Sequence, residues 1–233
     1  MTRLRWLGTF LLGRRRHVLA GLLMGGSVVL GATKAAAHSE SIHRNESAQQ
    51  QKLALLALID RAMGLSDAEK LDVVNRFFNH RIRYGEDKDV WGQFDYWASP
   101  LETLERSAGD CEDFALAKYF TLRLLGIPER NLHLVYTTVS STRQAHMVLG
   151  YWNDGGEMPV LLDNLRPDIL PMTQRQDLQI VFAFDTRHLY RFDRNRLVSV
   201  GDAKLLPGWQ VLMAKARQEL SPSSSVIQLA MAE

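Results

Sequence analysis

The chain has 233 residues, with 28 lysine and arginine residues, 26 aspartate and glutamate residues, and one cysteine, Cys111. A single cysteine excludes an internal disulfide framework and the zinc sites that need several cysteines. Six of the basic residues and none of the acidic ones precede residue 38, so the rest of the chain has a formal net charge of −4 and lacks the basic surface of a nucleic-acid-binding domain.

The first 37 residues have the composition of a secretory signal peptide. Basic residues, among them Arg14, Arg15 and Arg16, precede an apolar stretch over residues 18–33, and a run of three alanines ends at Ala37. This order predicts export and cleavage after Ala37. The alternative is an uncleaved membrane anchor, for which the apolar stretch is short and rich in glycine. The expected organisation is a signal peptide, one domain and a flexible tail, over residues 1–37, 38–220 and 221–233.

Helices are predicted in the segment that follows. The apolar periodicity of residues 50–64 predicts an amphipathic helix that ends at its final glycine. Ser66 and Glu69 have the spacing of a capping box, which predicts the start of a second helix. The acidic, tryptophan-rich stretch over residues 86–105 is expected to be irregular, apart from a short helix capped by Ser99.

Cys111 is expected at the start of a buried helix. Apolar residues cover most of the circumference of the following segment, and Gly126 has the position of a C-terminal cap. The N-terminus of a helix lowers the pKa of a thiol and can bind an oxyanion. Adjacent carboxylates have the opposite effect on the thiol, although acids are also common in the first turn of any helix. The carboxylates that flank the thiol are Asp110, Glu112 and Asp113.

Three β-strands are predicted downstream, over residues 132–141, 144–152 and 159–165. Asp154-Gly155, between the last two, has the composition of a two-residue hairpin loop of type I′. These two strands are therefore expected to pair antiparallel, in the register that this short loop sets.

That register places His146 directly opposite Asp163, close enough for a hydrogen bond between their side chains. A carboxylate on one imidazole nitrogen leaves the other nitrogen free to take a proton from a thiol. Cys111, His146 and Asp163 are thus predicted to be the nucleophile, the base and the orienting acid of an acyl-transfer enzyme. The alternatives are a histidine of the core and an aspartate that begins a turn.

The segments GDCEDFALAKYFTLRLLGIP, AHMVLGYW and VLLDNL resemble the bacterial transglutaminase-like cysteine proteinases, and within these the periplasmic LapG type. The resemblance extends from about Phe77 to Tyr190. It implies an α+β, papain-like fold of the transglutaminase type, in which a central helix that carries the nucleophile packs on an antiparallel sheet. It also implies a periplasmic location and the same roles for Cys111, His146 and Asp163.

The resemblance further implies a bound calcium ion. Asp110 and Glu112 match the ligand positions of the family, and Asp113 is a further candidate. Calcium takes six to eight oxygen ligands, so other groups must contribute. Three carboxylates of the preceding loop are available and the sequence does not rank them: Asp87, Asp89 and Asp95.

We hypothesise that the cation offsets the acidic surroundings of Cys111 and permits thiolate formation. The motivating observation is the acidic cluster around the single thiol. An alkylation rate of Cys111 with the same pH dependence in calcium and in chelator would contradict this hypothesis.

The implied function is a calcium-dependent endopeptidase that cleaves a large surface adhesin near its N-terminus, after a di-alanine element, and so promotes biofilm dispersal. The implied inhibitor is the periplasmic domain of an inner-membrane receptor for cyclic di-GMP. If Trp91 or Trp97 narrowed the substrate groove, it would favour substrates with small residues at the cleavage site. The alternative role for each tryptophan is packing in the core.

Two alternative functions remain open. A transglutaminase-like amidase, an acyltransferase or a peptidoglycan peptidase would use the same three residues on another substrate. A calcium-dependent binding module without catalysis would not need Cys111 at all.

Overall fold

The computed structural model describes residues 47–153, 158–193 and 196–219. The predicted signal peptide, the predicted loop at Asp154-Gly155 and the predicted tail lie outside these ranges. Within them, no helix is both long enough and apolar enough to cross a bilayer.

Four of the six described helices lie close to where the sequence predicts them, and those over residues 87–90 and 207–219 were not predicted. Ser66 and Glu69 form the predicted capping box, and Ser99 forms a second one with Glu102. Gly126 follows the buried helix with φ +87°, a conformation that favours glycine. In the described part of the chain the helices are α1 (residues 47–62), α2 (Asp67–Arg81), α3 (Asp87–Val90), α4 (Pro100–Arg106), α5 (Cys111–Leu124) and α6 (Pro207–Glu219).

The described strands form two sheets. A short parallel pair joins β1 to β2, and the other strands form an antiparallel sheet in the order β6-β5-β4-β3-β7-β8-β9. The strands are β1 (Arg83–Tyr84), β2 (Ala108–Gly109), β3 (Leu132–Val139), β4 (Ala145–Tyr151), β5 (Val160–Leu162), β6 (Leu170–Pro171), β7 (Leu178–Phe184), β8 (His188–Asp193) and β9 (Arg196–Asp202).

Helix α5 is the centre of the core. It contacts β3 and β4 of the large sheet, and it also contacts α2 and α4. Leu116, Ala117 and Leu122 of α5 are fully buried. Because burial of one leucine side chain contributes about 1.5–3 kcal/mol, this packing fixes the position of the first turn of α5 against the sheet. The structure therefore has the predicted central helix on an antiparallel sheet.

The predicted register of β4 and β5 is wrong by two residues. Tyr151 pairs with Val160 and Leu149 pairs with Leu162, so residues 152–159 connect the two strands. The composition of the predicted loop favoured a tighter turn, but Pro159 has no backbone N–H to extend the ladder.

The same register, continued by one pair, places Asp163 opposite Val148 rather than opposite His146. A shift of two residues keeps a side chain on the same face of a sheet, whereas a shift of one would reverse the face. His146 and Asp163 are therefore diagonal neighbours, at a separation that long side chains can span.

Candidate active site

The parallel pairing of β1 and β2 brings two acidic segments together. Tyr84 pairs with Gly109, and the N–H of Gly85 donates to the carbonyl of Gly109 at 2.9 Å. Each of these short strands leads into a helix: Asp87 is the first residue of α3, and Asp110 is the N-cap of α5. The pairing thereby places Asp87 beside Asp110, although 22 residues separate them in sequence.

Asp87, Asp110 and Asp113 form a buried acidic cluster in which one carboxylate oxygen from each lies within 4.8 Å of the others. Burial, followed by the charge of Glu112, raises the pKa of Asp110 to about 10. Burial also raises the pKa of Asp87 to about 6 and that of Asp113 to about 7. The side chains thus repel one another in a poorly solvated place.

Two oxygens of this cluster fit a bound cation. Oδ1 of Asp87 and Oδ1 of Asp110 are buried and accept no hydrogen bond within the described ranges. Buried carboxylate oxygens without a donor are costly, and a hard divalent cation is the partner that carboxylate oxygens prefer. The sequence offered Asp87, Asp89 and Asp95 as further ligands, and of these Asp87 lies in the cluster. Asp95 instead accepts a hydrogen bond from Trp97 Nε1 at 3.0 Å. Asp89 is in neither acidic group among the described residues.

Asp113 also fixes the loop before α4. Its Oδ1 accepts from the N–H of Ala98 at 2.9 Å, and its Oδ2 accepts from Trp91 Nε1 at 3.4 Å. Gly109 permits this arrangement, because a Cβ at that position would lie 2.5 Å from Asp113 Oδ2. Trp97 packs on Phe184 with 5.9 Å between ring centroids, so core packing is the observed role of Trp97.

The thiol lies beside a second acidic group. Single ligand atoms of Asp110, Cys111 and Glu112 lie within 4.8 Å of one another, and Cys111 Sγ donates to Glu112 Oε2 at 3.1 Å. Burial, followed by the charges of Glu112 and Asp110, raises the pKa of Cys111, and the backbone of Met147 opposes this shift only in part. The direction agrees with the expectation that these carboxylates disfavour the thiolate.

His146 and Asp163 form a buried hydrogen bond, with 2.8 Å between Nε2 and Oδ1. Burial acts to raise the pKa of Asp163, but hydrogen bonds from His146, Leu165 and Arg175 outweigh it and hold that pKa at about 2. Asp163 is therefore an ionised acceptor at neutral pH, so His146 Nε2 is the donor. In a neutral imidazole this leaves Nδ1 unprotonated and able to accept a proton.

The first turn of α5 meets β4 next to this pair. The backbone of Met147, the residue after His146, lies near enough to Cys111 to act on the pKa of its thiol. Strand β4 thus holds both the histidine and a backbone contact to the thiol. The structure thus brings His146 and Asp163 into contact, and it places Cys111 at the start of α5, the helix that packs against β4.

Sequence reasoning missed the residues that hold Asp163. Arg175 Nη2 donates to Asp163 Oδ2 at 2.7 Å, and Asn79 Nδ2 donates to the Asp163 carbonyl at 2.8 Å. Leu165 N–H donates to Asp163 Oδ1 at 2.9 Å. Neither Arg175 nor Asn79 belongs to a recognisable pattern, and both reach Asp163 through tertiary folding.

A profile of the bacterial transglutaminase-like cysteine proteinases matches residues 36–180. The chain belongs to this family. The predicted family is therefore confirmed, and with it the cysteine proteinase class. No curated protein matches the chain.

Solved structures of Legionella pneumophila LapG are similar to this proteinase. The EGTA-treated form is 32% identical with a TM-score of 0.62, and the match covers 73% of this chain and 97% of that of LapG. The calcium-bound form is 34% identical with a TM-score of 0.62, over 72% and 91% of the two chains. These matches confirm the predicted fold.

Proposed function

We propose that this proteinase is a calcium-dependent periplasmic endopeptidase that cleaves the N-terminal region of a large cell-surface adhesin. Cys111 is the nucleophile, His146 the general base and then acid, and Asp163 the residue that orients the imidazole. The observation that carries the proposal is the buried hydrogen bond of 2.8 Å between His146 Nε2 and Asp163 Oδ1, made from a strand that packs against the helix beginning at Cys111.

The reaction follows from the tautomer of His146. Its Nδ1 accepts the thiol proton, and the Cys111 sulfur attacks the carbonyl carbon of the scissile peptide bond. The backbone N–H of Cys111, at the N-terminus of α5, is suited to donate to the resulting oxyanion. His146 then returns the proton to the leaving amine, which leaves a thioester on Cys111. Water hydrolyses the thioester with His146 as base, and this step regenerates the thiol.

The acidic cluster supplies the calcium site in this proposal. Asp110 and Asp87 each provide an unpartnered buried oxygen, and Glu112 and Asp113 provide neighbouring carboxylates. Calcium bound there would offset the negative charge that now disfavours ionisation of Cys111. The similarity to LapG in a calcium-bound form supports this assignment.

The substrate, the inhibitor and the location are inferred from family resemblance. By the resemblance of the sequence to the LapG type, the substrate is an adhesin whose release promotes biofilm dispersal, and the inhibitor is the periplasmic domain of a cyclic-di-GMP receptor. A periplasmic location is consistent with the basic and apolar composition of residues 1–37.

The test is an incubation of residues 38–233 with the N-terminal region of the largest surface adhesin of the same organism, in calcium, with a primary amine present. We expect two fragments, which mass spectrometry will assign to one cleaved bond. Cys111→Ala should be folded and inactive, and added receptor domain should suppress cleavage by the wild type. Amine incorporation without fragments would contradict proteolysis and identify an acyltransferase. An intact substrate in every reaction would contradict the adhesin assignment.

A further inference from the structure

Arg175 connects the Asp163 carboxylate to a second carboxylate. The Arg175 side chain is fully buried, and its Nη2 lies 2.7 Å from Asp163 Oδ2. Its Nε lies 2.9 Å from Asp177 Oδ1, and the same Nη2 lies 2.8 Å from Asp177 Oδ2. The two bonds to Asp177 fix the plane of the guanidinium, because a planar fork accepts a carboxylate in one orientation.

We infer that Arg175 and Asp177 are positioning residues for the reaction of Cys111, acting through Asp163 and His146. Arg175 holds the Asp163 carboxylate in the rotation that presents Oδ1 to His146 Nε2. Asp177 orients Arg175 and offsets its charge. The inference rests on the proposed function, since it assigns a role within that site.

The hydrogen bonds of Asp163 show why its rotation matters. Oδ1 accepts from both His146 Nε2 and Leu165 N–H, so Arg175 is the side chain that holds Oδ2. Without Arg175, Oδ2 would be a buried acceptor that lacks this donor, and rotation or protonation of the carboxyl would relieve the cost. Either change would weaken the bond that keeps the proton of His146 on Nε2.

The charges explain the need for Asp177. An arginine beside Asp163 reduces the negative potential that stabilises the imidazolium formed when His146 accepts the thiol proton. A second carboxylate on the same guanidinium restores that potential. The side chain of Asp177 is 45% exposed, so water weakens its effect and the loss of Asp177 should cost less than the loss of Arg175.

Among the described residues, few other charged groups face Asp163 and Asp177. Lys118 of α5 is buried, and its charge acts on Asp163. Arg166 acts on Asp177 from the loop after β5. The contacts from α2 and β3 are neutral: Asn79 donates to the Asp163 carbonyl, and Thr137 Oγ1 donates to the His146 carbonyl at 2.8 Å.

The experiment combines kinetics with NMR. The variants are Arg175→Gln, Arg175→Lys and Asp177→Asn, and the control is Arg76→Gln, which breaks an exposed arginine–aspartate pair on α2. For kinetics we would use a quenched fluorescent peptide that spans the adhesin bond cleaved by the wild type. The ¹⁵N shifts of the His146 ring report its tautomer without any substrate.

We expect kcat of Arg175→Gln to fall roughly 10- to 100-fold with KM within about twofold, as for loss of a charge-assisted hydrogen bond. Arg175→Lys should lie between wild type and Arg175→Gln, and Asp177→Asn should fall less than Arg175→Gln. The His146 ring of Arg175→Gln should populate both neutral tautomers, whereas wild type and Arg76→Gln keep the proton on Nε2.

A folded Arg175→Gln with the wild-type tautomer and kcat would overturn the inference. If Arg175→Gln does not fold, Asp177→Asn decides, and an unchanged kcat and tautomer in that variant would overturn it. If the wild type cleaves no peptide, the proposed function fails, and the tautomer of His146 still tests whether Arg175 positions Asp163.

Discussion

Replacement of Asp163 by asparagine removes the charge of the proposed orienting residue while keeping the size of its side chain. The pKa of Asp163 is held at about 2, below the usual 3.8, so the folded protein favours the carboxylate over a neutral group at this position. That difference corresponds to roughly 2–3 kcal/mol at neutral pH. For a domain of this size the unfolding temperature of Asp163→Asn should fall by about 5–10 °C.

The amide also disturbs the imidazole. In Asp163→Asn, the side-chain NH₂ replaces one of the two carboxylate oxygens. It must face either Arg175, or both His146 Nε2 and Leu165 N–H, and all three of these groups are donors. Either orientation leaves a buried donor without an acceptor. We expect kcat to fall by about 10²- to 10⁴-fold in a folded protein, because the proton of His146 is no longer held on Nε2.

The assay is thermal unfolding of wild type and Asp163→Asn in calcium at several pH values. A lowered folded-state pKa stabilises the protein above the unfolded pKa, so the difference should be complete at pH 7 and shrink as pH falls from about 4 towards 2. Asp193→Asn, at an exposed pair with Arg191, is the control and should change stability by less than about 0.5 kcal/mol. Equal stability of Asp163→Asn and wild type at pH 7, or a difference that does not depend on pH, would refute this account.

Three further predictions concern the surroundings of the site. Gly109→Ala should lose about 1–3 kcal/mol of stability, because the new Cβ would clash with Asp113. Gly64→Ala is the control, since a Cβ there meets no atom within 4 Å. Equal denaturant midpoints for the two variants would contradict the clash. Lys118→Met should gain about 1–4 kcal/mol at pH 7 by removing a buried ammonium whose Nζ has no hydrogen-bond partner among the described residues. Burial lowers the pKa of Lys118 to about 7, so the gain should fade as pH rises towards 10, and a constant gain would contradict it. Calcium at 100 times its Kd should stabilise the wild type by about 2.7 kcal/mol relative to EGTA in thermal unfolding; Asp110→Asn should lose most of that increment, and an equal increment in both would exclude Asp110 as a ligand.

Local patterns predicted the helices well because their signals lie within a few residues. The capping box of Ser66 and Glu69, and the cap of α4 at Ser99, depend on side chains three positions apart. The four-residue helix α3 was not predicted, because a helix of about one turn is too short to show an apolar periodicity. The register of β4 and β5 depended on loop composition alone, and there the prediction was wrong by two residues.

Residues of the candidate site were likewise predicted only where their signal is local in the sequence. Asp110 and Glu112 were predicted ligands because they adjoin Cys111 in sequence. Asp87 reaches Asp110 through a parallel pairing of two residues per strand, too short to leave a pattern. Arg175 reaches Asp163 from beyond β6, a tertiary contact that no local spacing encodes.

Covalent labelling tests the central claim most directly. Residues 38–233 would be treated with a peptidyl acyloxymethyl ketone that ends in Ala-Ala, in calcium and in EGTA, and the adduct would be located by peptide mapping. We predict one adduct, on Cys111, formed much faster in calcium and nearly absent in His146→Ala. Labelling at another residue, or at an equal rate in His146→Ala, would contradict the assignment of Cys111 and His146 as nucleophile and base.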